Sequence, residues 1–297
     1  MLAPALTRVI QPNRPAMNAK LFEAFRDLAY GEAGILLSES KESLVSSRIQ
    51  RRVRDLGLPS EVEYLAHLRA DKTGAELVRF LDAISTNFTS FFREPAHFQV
   101  LADEARALLE RKAKRIRVWC AAAATGEEPY SLAITLSEVL GESSDFRILA
   151  TDISVKALET ASEGRYTLSR LSQVPRTLRD KYFVKERATN APVADSRTAE
   201  LEEATYRVSP ALRSRIVFKR LNLAAPPFPM KGELDVVFCR NVMIYFDRTV
   251  RQRLVGEVER LLKPGGLFVV AHAETLSGVQ SGFSSLKPSL YRKPSAP

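Results

Sequence analysis

The sequence predicts an α/β fold in which a doubly wound sheet follows an all-helical amino-terminal part. Three observations carry that expectation. Residues 18 to about 83 show apolar positions at helical spacing and no strand pattern. From Ile116 onward, short apolar runs rich in β-branched residues alternate with helical stretches, as in a mostly parallel sheet. The first of these runs passes through a small-residue turn straight into a helix, in Arg117 to Ile134, RVWCAAAATGEEPYSLAI.

In chain order, residues 1–17, MLAPALTRVIQPNRPAM, read as a flexible tail without the sustained apolar run of a signal peptide. Residues 18–85 form the helical domain. Its first helix carries Phe22, Phe25, Leu28 and Ala29 on one face and is expected to break at Gly31 to Gly34. The second, Lys41 to Leu56, carries Leu44, Val45, Ile49, Val53 and Leu56 on one stripe; Glu61 to Arg69 and Ala75 to Ile84 follow. Arg48, Arg51 and Arg52 fall at i, i+3 and i+4 of the second helix and so share one side. A solvated face and a docking surface for an acidic partner both account for that pattern.

Residues 86–114 read as a linker and covering segment. Ser85 to Pro95, STNFTSFFREP, is poor helix and poor strand, and its three phenylalanines argue that it is packed down. Either it only packs, or it lies over a ligand and offers Asn87, Thr89 and Arg93 as polar contacts. A helix from Ala96 to Ala113 leads into the first strand.

Residues 115–297 form the α/β domain. After the strand ending at Cys120, Ala121 to Ala124 and Gly126 let a ligand approach the backbone, and Thr125-Gly-Glu-Glu128 has the form of a capping box. The turn has neither the G-x-G-x-x-G of a dinucleotide site nor the G-K-[ST] of a phosphate loop. Glu127 and Glu128 would repel a phosphate, so the expected ligand is cationic or lacks one; S-adenosylmethionine, with its sulfonium, amino group and ribose hydroxyls, fits. Helix capping alone also accounts for both glutamates. Phe146 to Asp152 is a second strand ending in an acid, where nucleotide-binding folds hydrogen-bond ribose; Asp152 could equally cap the next helix.

Residues 164–215 interrupt the alternation as an inserted subdomain, with a charged stretch near 186–205. Alternation resumes with Ile216 to Leu223, then Leu234 to Asn241, a helix through Val250 to Leu262, a strand from Leu267 to Val270, and a closing hairpin near Leu290. Asp152, Asn222 and Arg240-Asn241 thus converge with the turn on one crevice at the strand ends.

Composition narrows the partner. At 297 residues, 45% hydrophobic and 27% charged, the chain is an ordinary globular protein with a net charge of +9, which favours an acidic partner. Cys120 and Cys239 read as buried apolar residues in a reducing, cytoplasmic setting. His67, His97 and His272 are scattered without metal-ligand spacing, so no metal is expected. No run approaches the ~20 apolar residues of a membrane span. No heptad or repeat suggests an obligate assembly, so a monomer is expected.

Seven segments in order, SRIQRRVRDLGL, STNFTSFFRE, AAAATGEEPYS, ATDIS, RLNL, FCRNVMIYFD and LKPGGLF, resemble the CheR family of chemotaxis receptor methyltransferases across nearly the whole chain. The resemblance implies a Rossmann-like class I S-adenosylmethionine-dependent methyltransferase domain, an amino-terminal all-helical domain and a small β-subdomain insertion. It implies methyl transfer to glutamate side chains of chemoreceptor cytoplasmic helices, as methyl esters, with S-adenosylhomocysteine as the other product. Cofactor contacts are implied for Asn87, Thr89, Arg93, Glu127, Asp152, Asn222, Leu223, Arg240 and Asn241, and a place near the transferring methyl for Tyr245 and Arg93. The helix bearing Arg48, Arg51, Arg52 and Arg54 matches the receptor-docking helix. One departure argues against tethering to a receptor's carboxyl-terminal pentapeptide. Members that tether use a short, glycine-containing loop, whereas Glu186 to Thr205 is longer, charged and without glycine.

A glutamate side chain, with an ordinary pKa of about 4.3, is already ionised and needs no general base. The absence of a catalytic histidine is therefore no objection. Tyr245 suits the task as a neutral donor that orients the carboxylate. Two rivals stand beside this reading. A nucleic-acid methyltransferase would use the positive charge, but Arg240-Asn-Val-Met stands where an Asn/Asp-Pro-Pro-Tyr-like motif is usual, and no aromatic-interleaved basic groove is visible. A cofactor-binding sensor without turnover is the other.

Overall fold

The computed structural model describes residues 17–141, 144–186 and 204–295. Four helices build the amino-terminal unit: α1 (Ala19–Ala33), α2 (Glu42–Asp55), α3 (Glu61–Ala70) and α4 (Ala75–Ile84). The Asn18 side chain caps α1, which runs through Gly31 and stops at Gly34 in left-handed backbone, φ 66°. The expected break at Gly31 to Gly34 thus falls at its last residue: one glycine costs a helix only about 1 kcal/mol, and only Gly34 has the backbone that ends it. A Cβ on Gly34 would stand 2.7 Å from the Ala224 Cβ, so glycine also lets this unit close on the next one.

Phe22, Phe25, Val45, Ile49, Tyr64, Phe80 and Leu81 form the helical core. Met17 joins it at 5% exposure, so the last residue of the expected tail is anchored; the rest of that tail lies outside the described residues. On α2 the buried stripe is narrower than the spacing suggests, because Leu44 is 42% exposed.

The second unit begins with α5 (Ala96–Glu110), β1 (Ile116–Cys120), α6 (Glu127–Leu140), β2 (Phe146–Asp152) and α7 (Val155–Glu163). The insertion follows as β3 (Arg165–Thr167), α8 (Arg176–Tyr182), β4 (Phe183–Lys185), β5 (Thr205–Val208) and α9 (Pro210–Arg213). Its strands form a separate antiparallel sheet in the order β3-β5-β4. Most of the charged stretch noted near 186–205 lies outside the described residues. The chain then returns with β6 (Ile216–Arg220), β7 (Leu234–Phe238), α10 (Arg248–Leu261), β8 (Leu262–Val269), β9 (Ser284–Lys287) and β10 (Leu290–Arg292).

The main sheet has the order β6-β2-β1-β7-β8-β10-β9. Its first five strands are parallel, and β10 and β9 close it antiparallel. Both faces are covered, which is why the strands read as nearly continuous apolar runs. Val118 and Cys120 point into one core with Ile148 and Val236, while Trp119 points into the other with Val237 and Phe268. Strands β6 and β7 end at Arg220 and Phe238, earlier than the sequence suggests, so Asn222 and Arg240-Asn241 lie on loops beyond the strand ends.

Among the described residues, three hydrogen bonds stitch the helical unit to the sheet unit. Tyr30 Oη donates to Asp247 Oδ2 at 2.5 Å, Asn222 Nδ2 to the Glu32 carbonyl at 2.7 Å, and the Leu36 N–H to the Tyr245 carbonyl at 2.8 Å. Among the described residues no helix is long and apolar enough to cross a membrane.

Candidate active site

The turn from β1 to α6 is pinned to both neighbouring strands. The Ala121 N–H donates to the Phe238 carbonyl and the Ala123 N–H to the Thr151 carbonyl, each at 2.8 Å. Ala124 follows in left-handed backbone at φ 46°, a costly conformation for a residue with a side chain. Its N–H is held by Asp152 Oδ2 at 2.8 Å. Gly126, at φ 100°, caps α6 without help from a side chain, and a Cβ there would lie 2.6 Å from Tyr166 Oη. The glycine thus serves close packing against the insertion rather than ligand approach. The expected capping box does not form, because Thr125 Oγ1 donates to Glu127 Oε2 at 2.8 Å instead of receiving a helix N–H.

The two glutamates of the turn diverge. Glu127 is buried and pairs with Arg170 of the insertion, away from the cleft. Glu128 lines the cleft and receives Arg240 Nη1 at 2.8 Å and the Cys120 thiol at 3.2 Å. Of the two, Glu128 lines the cleft, and Glu127, for which the cofactor contact was expected, does not. Adjacent residues on a helix point about 100° apart, and the capping box had placed the first turn one residue off.

Arg240 has a fully buried side chain. Besides Glu128, its Nη2 reaches Glu94 Oε2 at 3.1 Å and the Arg93 carbonyl at 2.6 Å, while its Nε has no partner among the described residues. Burial raises the Glu128 pKa against the pull of Arg240. Burial also opposes the charge on Glu94, but Arg240 and the His272 N–H hold that carboxyl below the usual range. Asp152 accepts the N–H groups of Ala124 and Ser154 at 2.8 and 2.9 Å, and burial raises its pKa. Ser154, not Asp152, caps α7.

One cleft at the carboxyl ends of the parallel strands gathers Asn87, Thr89, Arg93, Asp152, Asn222, Leu223, Arg240, Asn241 and Tyr245. Asn222 is committed to packing, with its amide donating to Glu32 and its carbonyl accepting from the Ala224 N–H at 3.0 Å. By contrast, among the described residues no hydrogen bond is made by the side chains of Asn87, Thr89 and Asn241 or by the Tyr245 hydroxyl. Tyr245 presents its ring to Lys41, whose Nζ sits 4.4 Å from the ring centroid; burial, then Arg48, lowers the Lys41 pKa. In the covering segment Phe91 is buried and Phe92 packs on Phe98, but Phe88 is 80% exposed at the cleft rim, so only two of the three phenylalanines are packed down.

Sequence reasoning missed Glu94 and Lys41, and of the two turn glutamates it singled out, it named Glu127 rather than Glu128 as the contact residue. Glu94 and Lys41 lie outside the strand-turn-helix pattern that drew attention to the site, and no local signal marks them. It also read the histidines as scattered, whereas the rings of His97 and His272 lie with centroids 4.6 Å apart beside Glu94. Burial, then Arg240, lowers the His97 pKa to about 4.

The arginines of α2 divide by direction. Arg48 Nη1 donates to the carbonyls of Ile84 and Ser85 at 3.0 and 2.8 Å, tying α2 to the end of α4. Arg52 makes a two-pronged pair with the buried Glu76, at 2.9 Å, and reaches Asp55 at 3.2 Å. Arg51 and Arg54 are exposed. Sharing one side of a helix thus does not give Arg48, Arg51 and Arg52 a shared task.

Comparison with known proteins adds to this geometry. A family model described as "CheR methyltransferase, SAM binding domain" matches residues 87–291, and one described as "CheR methyltransferase, all-alpha domain" matches residues 20–85. The chain is 44% identical over 254 residues to chemotaxis protein methyltransferase 2 of Pseudomonas aeruginosa, covering 85% of each chain. It is 37% identical over 279 residues to the chemotaxis protein methyltransferase of Salmonella typhimurium, covering 94% of this chain and 91% of the relative. The protein of that name from Escherichia coli is 36% identical over 279 residues, with 94% and 92% covered.

Proposed function

Because this chain belongs to the CheR methyltransferase family, we propose that it methylates glutamate carboxylates on the cytoplasmic helices of a chemoreceptor. The products are glutamate methyl esters, and the role is sensory adaptation. Its cofactor is S-adenosylmethionine, the ligand of the matched domain. The cleft suits that molecule by the chemistry of its donors. Asp152 keeps unused lone pairs for ribose hydroxyls, Glu128 and Asp152 disfavour a phosphate, and the buried Arg240 Nε lacks a partner among the described residues.

When bound, the cofactor would supply a methyl group on a cationic sulfur, open to direct attack by a carboxylate oxygen, with the carbon–sulfur bond breaking and its electron pair going to sulfur. The chain's own residues prepare that event. Asn87, Thr89 and Asn241 offer unspent hydrogen bonds along the cleft, and Tyr245 offers a neutral hydroxyl to orient the incoming carboxylate. A neutral donor fits, because a strong fixed cation at the nucleophile would stabilise the ground state more than a transition state in which the charges cancel. Arg93 and Phe88 cover the site, with Arg93 Nη1 held on the Phe88 carbonyl at 3.2 Å. Arg51 and Arg54 are the α2 arginines free to meet an acidic receptor helix. Alignment and water exclusion, rather than proton transfer, are what the protein contributes.

The observation that carries this reading is the contrast within one cleft between an ion-paired floor and polar side chains that make no hydrogen bond among the described residues. The test is transfer of labelled methyl from S-adenosylmethionine to acidic helical receptor fragments, with and without their carboxyl-terminal tails, followed by mild alkali. Release of the label as volatile methanol is expected, without dependence on the tail. Alkali-stable label would move the reading to nitrogen methylation, and binding without transfer would move it to a sensor.

A further inference from the structure

Glu94, His97 and His272 bring three ligand-type atoms within 4.8 Å of one another. His97 Nδ1 lies 3.3 Å and His272 Nδ1 3.9 Å from the same oxygen, Glu94 Oε2. The tautomer of His97 follows from its other neighbour. Ser289 Oγ donates its proton to the Pro288 carbonyl at 2.6 Å, so it accepts from His97 Nε2 at 2.8 Å. Nε2 therefore carries the ring proton and Nδ1 presents a lone pair. Nδ1 is buried and makes no hydrogen bond among the described residues. A lone pair facing a carboxylate oxygen at this distance is repulsive unless a cation lies between them, and burial disfavours a proton in that place.

We propose that Glu94, His97 and His272 form a binding site for a transition-metal dication of the Zn2+ class. Two imidazole nitrogens and one carboxylate oxygen are the donor set such ions take, with a fourth position left to water. Ser289 is the outer partner that fixes the ring of a metal-bound histidine. His272, with a side chain 57% exposed, gives the ion a way in and has the freedom to close its 3.9 Å gap. Arg240 shares Glu94 Oε2, but it also holds Glu128 and the Arg93 carbonyl, so drawing Glu94 toward a metal does not strand it.

Tag-free, chelator-treated protein titrated calorimetrically with Zn2+ alone is expected to bind one ion per chain. His272→Ala should weaken that binding at least about tenfold, since even outer partners of metal ligands are worth that much. Its melting temperature should be unchanged. Glu94→Gln should weaken it similarly, and His67→Ala, at the remaining histidine on α3, should leave it intact. No heat of binding at roughly 100 μM Zn2+, or binding that His272→Ala leaves unaltered or that His67→Ala weakens as much, would overturn the proposal.

Discussion

Arg52 in the helical unit and Arg240 in the cleft each hold buried carboxylate, and they differ in what they leave unmade. Arg52 is the saturated case. Glu76 receives its Nε and Nη2, Asp55 its Nη1, and the Tyr64 hydroxyl completes the cluster on Glu76 Oε1 at 3.0 Å. Burial, then Glu76, raises the Tyr64 pKa well above its ordinary value, so that hydroxyl stays a donor; its environment is fixed. Arg240 is more deeply buried, joins two carboxylates from different segments, and still has an Nε without a partner among the described residues. Around it stand side chains that also make no hydrogen bond among the described residues. A closed network fixes helices to one another; an open one at a cleft floor is configured to receive something.

Four variants break or sharpen that contrast. Arg240→Ala has the largest expected effect. It leaves Glu94 and Glu128 facing each other without a cation, and losing one partner of a buried ionic cluster costs about 3–5 kcal/mol. Denaturant unfolding should register that loss, and cofactor binding should vanish with it. An unaltered unfolding midpoint would mean that the cluster is solvated. Glu76→Ala comes next at about 1–3 kcal/mol, from an unpaired Tyr64 hydroxyl and a partly freed Arg52. Cofactor affinity, measured by titration with S-adenosylhomocysteine, should stay the same; a drop would erase the distinction between the two arginines.

Tyr245→Phe removes a hydroxyl that bonds nothing among the described residues, so stability should hold to within ~0.5 kcal/mol. Turnover should fall roughly 10- to 100-fold through loss of alignment, with cofactor affinity kept. Normal turnover would take Tyr245 out of the chemistry. The smallest change in fold stability is expected from Arg51→Glu with Arg54→Glu, within ~0.5 kcal/mol for exposed positions. Only the KM for a receptor fragment should rise, and an unchanged KM would remove α2 as a docking surface.

What was legible in the sequence was whatever depends on local pattern. The spacing predicts α4 over Ala75–Ile84 and β2 over Phe146–Asp152, and both lie there. The crevice at the strand ends follows from alternation of strands and helices, and the seven segments carried the family. What was not legible depends on direction or on distant contacts. Whether Glu127 or Glu128 faces the cleft turns on one residue of helix phase. Whether Arg52 meets solvent or Glu76 depends on where α4 packs. His97 and His272 meet only because α5 and the loop after β8 cross the same end of the sheet, which no spacing rule anticipates.

The three hydrogen bonds across the cleft have a thermal consequence. Tyr30, Glu32 and Leu36 belong to one half of the molecule and Asp247, Asn222 and Tyr245 to the other, and the cleft between them is the seam. A molecule lodged in a seam is lost when either half melts, so its binding energy, about 2.7 kcal/mol at a hundredfold excess over Kd, protects both at once. Scanning calorimetry should then show broad or split melting of the free protein condensing into one sharper peak as S-adenosylhomocysteine saturates it. Two peaks that stay separate at saturation would mean that the helical half is a detachable cap rather than a wall of the cleft.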